Sequence, residues 1–247
     1  MKRFWEEVTI ERDEAGHAIL LDGRPMHLPN GGEVLRIGPA PLAEAVAAEW
    51  RAAGGAKGGE MSFGDTPLTR LAGTAQARIA PDPAPTADAI ARYCETDLLC
   101  YRAEHPPELT ARQAREWQPW LDWAALTYDA PLRVTAGIAH VRQHRDSIAA
   151  LRRVVGGLDV HALAGLGIAV PALGSLVLGL ALLEGRIDAE GAHRLGALDE
   201  LFQEEQWGAD YEAVHRRAGI AADVTLAARY MALTRPHPAG GTGGGTT

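Results

Sequence analysis

The sequence predicts an α+β protein, in which an N-terminal antiparallel β-meander with helices is followed by an all-α C-terminal domain. Three observations support this class. Apolar and polar residues alternate over the first forty residues, apolar residues then recur every three or four positions, and the proline-rich segment APDPAPT separates two helical regions. We therefore expect an N-terminal α+β domain at 1–82, a C-terminal helical domain at 83–235 and a disordered tail at 236–247.

The predicted meander begins with two alternating runs. EEVTIER and HAILLDG read as adjacent strands that are joined by a turn at EAG. Asp22-Gly23 is a strong hairpin signal, because a two-residue turn of this type needs positive φ angles that aspartate and glycine tolerate. RPMHLP and EVLRIG follow as further short strands.

Two amphipathic helices are predicted after the sheet. PLAEAVAAEWRAAG places Leu42, Val46, Glu49 and Trp50 near one face. TPLTRLAGTAQARI follows, with Pro67 at its first helical position. The segment GGAKGGE between the two helices is predicted to be a flexible loop.

The C-terminal domain is predicted to be helical almost throughout. Residues 160–183 are long and apolar enough to span a bilayer. Pro171 and four glycines instead favour two buried helices that break near this proline, so no membrane insertion is expected. Pro119 is expected to kink or interrupt its helix. The predicted helices cover residues 87–94, 110–128, 146–156, 160–183 in two pieces, 188–217 and 221–234.

Composition and cysteine usage bear on partners and on the compartment. The net charge of −8 and the pI of about 5.6 disfavour a general nucleic-acid-binding surface. Cys94 and Cys100, without a CxxC motif, indicate a reducing compartment and no disulfide framework. The N-terminal MKRFWEEVTIERD has no apolar signal core and is too acidic for a transit peptide. We therefore expect a cytoplasmic protein that does not bind nucleic acid.

Motifs of catalysis are missing from the sequence. The chain contains no GxxxxGK(S/T) phosphate loop, no GxGxxG after a strand, no HExxH zinc motif and no GxSxG nucleophile elbow. His140 and His144 lie four residues apart, but the residues before them are not clearly helical and no third ligand is near. We therefore expect neither a bound metal nor a bound cofactor.

Glu205 is the most informative single residue. In a helix, Leu198, Leu201 and Phe202 form an apolar stripe, Glu205 lies within this stripe, and Glu204 points away from it. A charged group on a core-facing stripe is costly unless it is paired or has a role. Glu205 is therefore either a partnered structural carboxylate or part of a functional surface.

Aromatic residues are concentrated in EWQPWLDWAALTYD, where Trp117, Trp120, Trp123 and Tyr128 fall within one predicted helix. Such a cluster is typical of a packed core. Exposed aromatics in this segment would instead mark a partner surface, because tryptophan dominates binding hot spots.

Seven motifs, taken together in their order and spacing, resemble a known family. They are KRFW at 2–5, LDGRP at 21–25, LAEAVAAEW at 42–50, PLTRLA at 67–72, ETDLLCYR at 95–102, WQPWLDWA at 117–124 and EQWGADYEA at 205–213. The family is the assembly chaperones of the α subunit in the catalytic head of F-type ATP synthase. Two departures are RAAGGAKGGE, where the family has a glutamine and a more apolar loop, and Thr66, where the family has methionine.

The resemblance implies a protein-binding role without catalysis. Members of this family hold newly made α subunit until the β subunit replaces the chaperone. The family's functionally important glutamate in a Glu-x-Trp-Gly step matches Glu205, and Trp207 and Gly208 match the same step. We therefore expect the ATP synthase α subunit to be the partner and Glu205, Trp207, Gly208 and Asp210 to bind it.

Two other functions stay open at this point. An enzyme with an unrecognised carboxylate site would hold Asp97 and Glu205 in a deep pocket, with raised pKa values. A permanent helical scaffold would have a constitutive interface, larger than a displaceable chaperone needs.

Overall fold

The computed structural model describes residues 1–29 and 32–235, which divide into two compact units. The first unit contains Met1–Thr66 together with the last described residues, 232–235, and the second unit is Pro67–Met231. A small antiparallel sheet lies in the first unit and helices make up most of the second. The α+β class predicted from the sequence is therefore confirmed.

The sheet of the first unit is built around β2 (Gly16–Leu21). The strand β1 (Val8–Asp13) pairs with β2 in antiparallel register along its whole length. On its other edge, β2 pairs first with β3 (Arg24–Pro25) and then with β4 (Arg36–Ile37), both antiparallel. The predicted third and fourth strands are thus present, but each is only two residues long.

The turn between β2 and β3 is the predicted two-residue hairpin. Asp22 and Gly23 have φ angles of 49° and 74°. The Asp22 carboxylate also accepts hydrogen bonds from the backbone N–H groups of Glu6 and Glu7, at 3.0 and 2.8 Å. These two bonds lower the pKa of Asp22, because they favour its charged form.

The core of the first unit forms between this sheet and α1 (Ala40–Ala52). The predicted apolar face of α1 is buried, while Glu49 at its edge is half-buried. Trp5 is fully buried and donates its indole N–H to the Trp50 carbonyl at 3.1 Å. Arg3 is buried beside Trp5 and donates to backbone carbonyls on both sides, which fixes the start of the chain.

The second unit is a helical bundle with two apolar helices, α6 and α7, at its centre. Nearly every residue of α7 and most residues of α6 are buried. The helices are α2 (Pro67–Thr74), α3 (Ala84–Ala91), α4 (Pro107–Tyr128), α5 (Arg145–Gly156), α6 (Val160–Leu173), α7 (Leu176–Leu183), α8 (Ala189–Gly196), α9 (Leu198–Trp207) and α10 (Tyr211–Thr234). A short parallel pair, β5 (Tyr101–Arg102) with β6 (Thr135–Ala136), was not predicted.

The long apolar segment forms two helices that break near Pro171, as predicted. Pro171 itself lies inside α6, and the break follows at Gly174, which caps the end of α6 with a φ of 64°. The Ser175 hydroxyl then accepts a hydrogen bond from the Leu178 N–H at 3.0 Å and so begins α7. Among the described residues, no helix combines the length and the apolar character needed to cross a bilayer.

Two helix predictions are wrong. The predicted helix at 188–217 is interrupted at Ala197 and again at 208–210, and α10 continues through the predicted break at 218–220. Pro119 does not interrupt α4, and the predicted kink at this residue stays a prediction. This proline is exposed, so water can satisfy the carbonyl whose helical hydrogen bond it removes.

The structure does not test two of the predicted boundaries, the domain boundary after residue 82 and the start of the tail at residue 236. The contacts separate the units between Thr66 and Pro67, but compactness alone does not show which part folds by itself, so the predicted domain boundary after residue 82 stays a prediction. The predicted disordered tail at 236–247 lies outside the described residues.

Candidate functional site

The candidate site is the tip of the hairpin that α9 and α10 form, which comprises residues 205–214 and is called the hairpin tip below. Gly208 ends α9, because its φ of 88° is a conformation that side chains rarely adopt. Its N–H donates to the Glu204 carbonyl at 2.8 Å. The structure thus assigns Gly208 a chain-reversing role.

Asp210 begins the second helix of the hairpin. Its carboxylate accepts a hydrogen bond from the Ala213 N–H at 2.9 Å, which satisfies one of the unpaired N–H groups at the start of α10. The side chain is exposed, so the same carboxylate also faces solvent. Asp210 therefore both shapes the hairpin tip and adds negative charge to it.

Glu205 faces α4 and is held there by an arginine. Arg112 donates from Nη1 to both carboxylate oxygens of Glu205, at 2.9 and 2.7 Å. The Glu205 side chain nevertheless remains 53% exposed, against 22% for Arg112. The contact with Glu205 raises the pKa of Arg112, so the arginine carries its positive charge throughout the ordinary pH range.

Glu205 continues the predicted stripe towards α4, but it does not enter the core. The stripe does point at α4, since Leu198 and Phe202 are buried. Glu205, one turn after Phe202, lies at the end of α9, beyond these buried residues, where the neighbouring side chain is Arg112. Glu205 is thus a paired surface carboxylate.

Glu204 is the more buried of the two glutamates, contrary to the prediction that it points away from the core. Its side chain is 30% exposed and accepts a hydrogen bond from Arg217, which is itself only 9% exposed. Arg217 and its neighbour Arg216 also pair with Glu200, at 3.6 and 3.0 Å. These bonds join α9 to α10 and hold the hairpin closed.

Further contacts hold α9 against α4 on the side away from the tip. Gln113 is fully buried and donates to the Asp199 carboxylate at 2.7 Å. Glu116 pairs with Arg112 at 3.5 Å and with Arg194 of α8 at 2.5 Å. The tip therefore stands on a base in which α4, α8, α9 and α10 are joined by charged or polar side chains.

Three large side chains point into solvent at the hairpin tip. Trp207 is 79% exposed, Tyr211 is 83% exposed and Val214 is 41% exposed. Tyr211 and Val214 are three residues apart on α10 and so share one face. This exposed apolar surface lies on a hairpin that the Glu204–Arg217 and Glu200–Arg216 contacts hold in place, which is the combination that a protein-binding surface needs.

The tryptophans of α4 belong mainly to the core. Trp117 is fully buried and donates its indole N–H to the Leu195 carbonyl at 3.0 Å. Trp120 and Trp123 are half-buried and pack edge to face, and Trp123 packs in the same way on Tyr128. The core interpretation of this segment therefore holds for Trp117 and in large part for the others.

Asp97 has a different role from Glu205. It is fully buried, and its two oxygens accept hydrogen bonds from the N–H groups of Leu99 and Val177, at 3.1 and 3.0 Å. Burial raises the pKa of Asp97 to about 6. Because Asp97 joins a 3₁₀ turn to the start of α7 while Glu205 faces Arg112 at the surface, the two do not form a carboxylate pair.

His140 and His144 do not share a helical face. His140 contacts the Tyr101 hydroxyl at 3.2 Å, whereas His144 precedes α5 and accepts a weak hydrogen bond from the Asp146 N–H at 3.4 Å. Over residues 1–29 and 32–235, no group of three or more His, Cys, Asp or Glu side chains is arranged to hold a metal ion. Both cysteines are buried free thiols, and burial raises the pKa of Cys94 to about 12.

Sequence reasoning missed three residues of this region. Arg112 lies 93 positions from Glu205, so no local pattern connects them. Tyr211 and Val214 fall in the segment singled out for its Glu-x-Trp-Gly step, but they were assigned to a continuous helix. The glycine followed by aspartate at 208 and 210 was the available signal, because this pair is typical of one helix ending and another beginning.

Comparison with known proteins gives one consistent result. The family profile of the ATP12 chaperone protein matches residues 2–125. The crystal structure of Atp12 from Paracoccus denitrificans matches with a TM-score of 0.89 at 42% identity, over 95% of this chain and 98% of that chain. A point mutant of the P. denitrificans protein matches with a TM-score of 0.89 at 41% identity, with the same coverage of 95% and 98%. A protein from Agrobacterium tumefaciens that has been suggested to be a chaperone matches with a TM-score of 0.88 at 36% identity, over 95% of this chain and 86% of that chain.

Proposed function

The chain belongs to the ATP12 chaperone family, and we propose that it binds the unassembled α subunit during assembly of the ATP synthase catalytic head. In this proposal it covers the apolar interface of the free α subunit, prevents aggregation, and releases the α subunit to the β subunit. An isolated subunit of a permanent complex exposes apolar surface that aggregates, so a temporary cover is needed.

The observation that carries the proposal is the exposed tryptophan on the hairpin tip. Trp207 is 79% exposed at the end of a helix whose preceding turns are packed against α4 and α10. Tryptophan contributes disproportionately to protein–protein affinity, because it brings a large apolar area at little cost in conformational entropy. Tyr211 and Val214 extend the same apolar surface along α10.

Charge at the tip supports exchange rather than permanent binding. Glu205 and Asp210 border the apolar side chains, and both remain exposed despite their hydrogen bonds. Peripheral charges set the orientation and the rate of association more than the final affinity. A client held by a small apolar centre and by such charges can be displaced when a subunit with a larger interface binds.

The enzyme alternative has less support. It needs Asp97 and Glu205 in one pocket, whereas Asp97 binds backbone N–H groups in the interior and Glu205 faces Arg112. The scaffold alternative differs from the proposal in the state of the partner, because a permanent subunit would stay in the finished complex.

Co-purification tests the proposal. Tagged protein should retain free α subunit from cells, and added β subunit should release it. The Trp207→Ala variant should retain less, and Leu126→Ala is the matched control, because Leu126 is 88% exposed but lies on α4 away from the tip. Retention of assembled ATP synthase would favour a permanent scaffold, and retention of neither form would contradict the proposal.

A further inference from the structure

The second unit also contains an open groove between α2 and α10, next to α6. Its volume is about 380 Å³. Apolar side chains from three helices and from the turn after α2 line it: Leu71, Ile79, Leu163, Ala164, Ile168 and Leu226. The contacts described for the hairpin tip use none of these residues.

The rim of this groove is charged on both sides. Arg70 and Arg78 lie on one side and Asp223 of α10 lies on the other, and all three are exposed. Within residues 1–29 and 32–235, neither arginine forms an ion pair or a side-chain hydrogen bond. Two unpaired guanidinium groups beside an apolar groove give it a local preference for carboxylates, on a protein whose net charge is −8.

An irregular turn lies on the arginine side of the groove. The chain widens into a π-helical turn at Ala75–Ile79, in which the Ala80 N–H donates to the Ala75 carbonyl at 2.8 Å. Both Arg78 and Ile79 of this turn line the groove. Such single π turns occur frequently at functional sites.

Gly167 keeps the groove open. It is an exposed residue inside α6, and a Cβ atom added there would meet no other atom within 4 Å. Glycine is unfavourable inside a helix, and space alone would admit a larger residue at this position. A side chain at residue 167 would extend into the groove, so glycine here preserves room for a ligand.

We propose that this groove binds an acidic amphipathic segment of the protein client, with apolar side chains along its length and carboxylates at Arg70 and Arg78. The inference rests on the proposed function, because it takes the α subunit as the client. The exposed rim argues for a peptide segment over a small molecule, since small-molecule sites enclose most of the ligand surface.

The groove would give the client a second point of contact. Asp223 and Leu226 follow Val214 by nine and twelve residues on α10, which corresponds to about 14 and 18 Å along the helix. Two moderate contacts on one client multiply their effect on affinity when both engage together.

The test measures the affinity of fluorescently labelled, purified α subunit for the full-length protein and for variants of the groove. Gly167→Leu fills the groove, and Gly156→Leu is the matched control, because Gly156 is also exposed, helical and free of atoms within 4 Å of an added Cβ. We expect at least tenfold weaker binding for Gly167→Leu, a change of less than twofold for Gly156→Leu, and unchanged or higher melting temperatures for both. The double variant Arg70→Glu/Arg78→Glu should weaken binding by a similar factor.

Three results overturn the inference in distinguishable ways. If the unaltered protein binds the α subunit and the groove variants bind it equally well, the groove is not a client site, although the proposed function survives. If the unaltered protein does not bind the α subunit, both proposals fail. A small organic anion that co-purifies with the protein and is lost in Gly167→Leu, with α-subunit affinity unchanged, would assign the groove to that ligand instead.

Discussion

Arg112 donates from one nitrogen to both carboxylate oxygens of Glu205, at 2.9 and 2.7 Å, and so fixes the end of α9 against α4. Because more than half of the Glu205 side chain remains accessible, a cation on a partner can share the carboxylate without displacing Arg112. The pair thus holds Glu205 in one position and leaves its carboxylate accessible to a partner. A negative group is presented in this way beside Trp207, at the point where α9 ends.

Trp207→Ala is expected to weaken binding of the α subunit at least tenfold, because truncation of a tryptophan at a binding hot spot costs about 2 kcal/mol or more of binding free energy. The free energy of unfolding should change by less than about 0.5 kcal/mol, since the side chain is 79% exposed. Binding is measured by titration and stability by urea unfolding. Leu126→Ala is the control, and equal effects of the two variants on binding would remove Trp207 from the interface.

Glu204→Lys is expected to destabilise the protein more than Glu205→Lys does. Glu204 pairs with Arg217, a nearly buried arginine that Glu200 alone would then have to neutralise. Removing one partner of a buried pair costs about 3–5 kcal/mol, and the partial exposure of Glu204 reduces this to roughly 1–3 kcal/mol. Urea unfolding of the two variants side by side checks the order.

Gly23→Val is expected to lower the free energy of unfolding by roughly 1–3 kcal/mol, because valine is strained at the φ of 74° that the hairpin requires. Gly38→Val is the control, since Gly38 has no positive φ and an added Cβ there meets nothing within 4 Å. Thermal unfolding monitored by circular dichroism compares the two. A Gly23→Val protein as stable as the unaltered one would contradict the importance of this turn.

Asp97 is expected to make stability depend on pH. Its folded-state pKa of about 6 lies above the ordinary value of 3.8, so the folded protein binds the proton more tightly than the unfolded chain. This group therefore adds stability as the pH falls through 6, by about 1 kcal/mol between pH 7.5 and pH 5. The unaltered protein should gain stability relative to Asp97→Asn as the pH falls over this interval, and a constant difference would show that Asp97 does not titrate there.

Local patterns predicted much of the fold because local chemistry decides it. The Asp22-Gly23 turn needs only two residues that tolerate positive φ, and the buried face of α1 follows from the spacing of its apolar residues. Pro171 gave the approximate place of the break, but the φ of 64° at Gly174 and the Ser175 cap are what end one helix and begin the next. Where a local signal competes with capping, the cap sets the boundary.

The candidate site was harder to predict, because its geometry depends on contacts between distant parts of the chain. The stripe of Leu198 and Phe202 gave the direction in which Glu205 points. It could not show that Arg112 of α4 lies opposite Glu205 and binds its carboxylate. Glu204 was predicted to point away from the apolar stripe, and its partner Arg217 could not be foreseen because it belongs to the next helix. Helical spacing gives the side that a residue faces, and burial depends on what the neighbouring helix places there.

The affinity of purified α subunit for the Glu205→Lys variant, measured together with the stability of the same preparation, tests the central claim most directly. Glu6→Lys is the control, since Glu6 is also an exposed glutamate in an ion pair, with Lys57 at 2.9 Å in the first unit. We predict that Glu205→Lys changes the free energy of unfolding by no more than about 1 kcal/mol, as for exposed ion pairs, and weakens α-subunit binding at least tenfold, while Glu6→Lys leaves both unchanged. Full α-subunit affinity in a stable Glu205→Lys protein would contradict the claim that the hairpin tip binds the client.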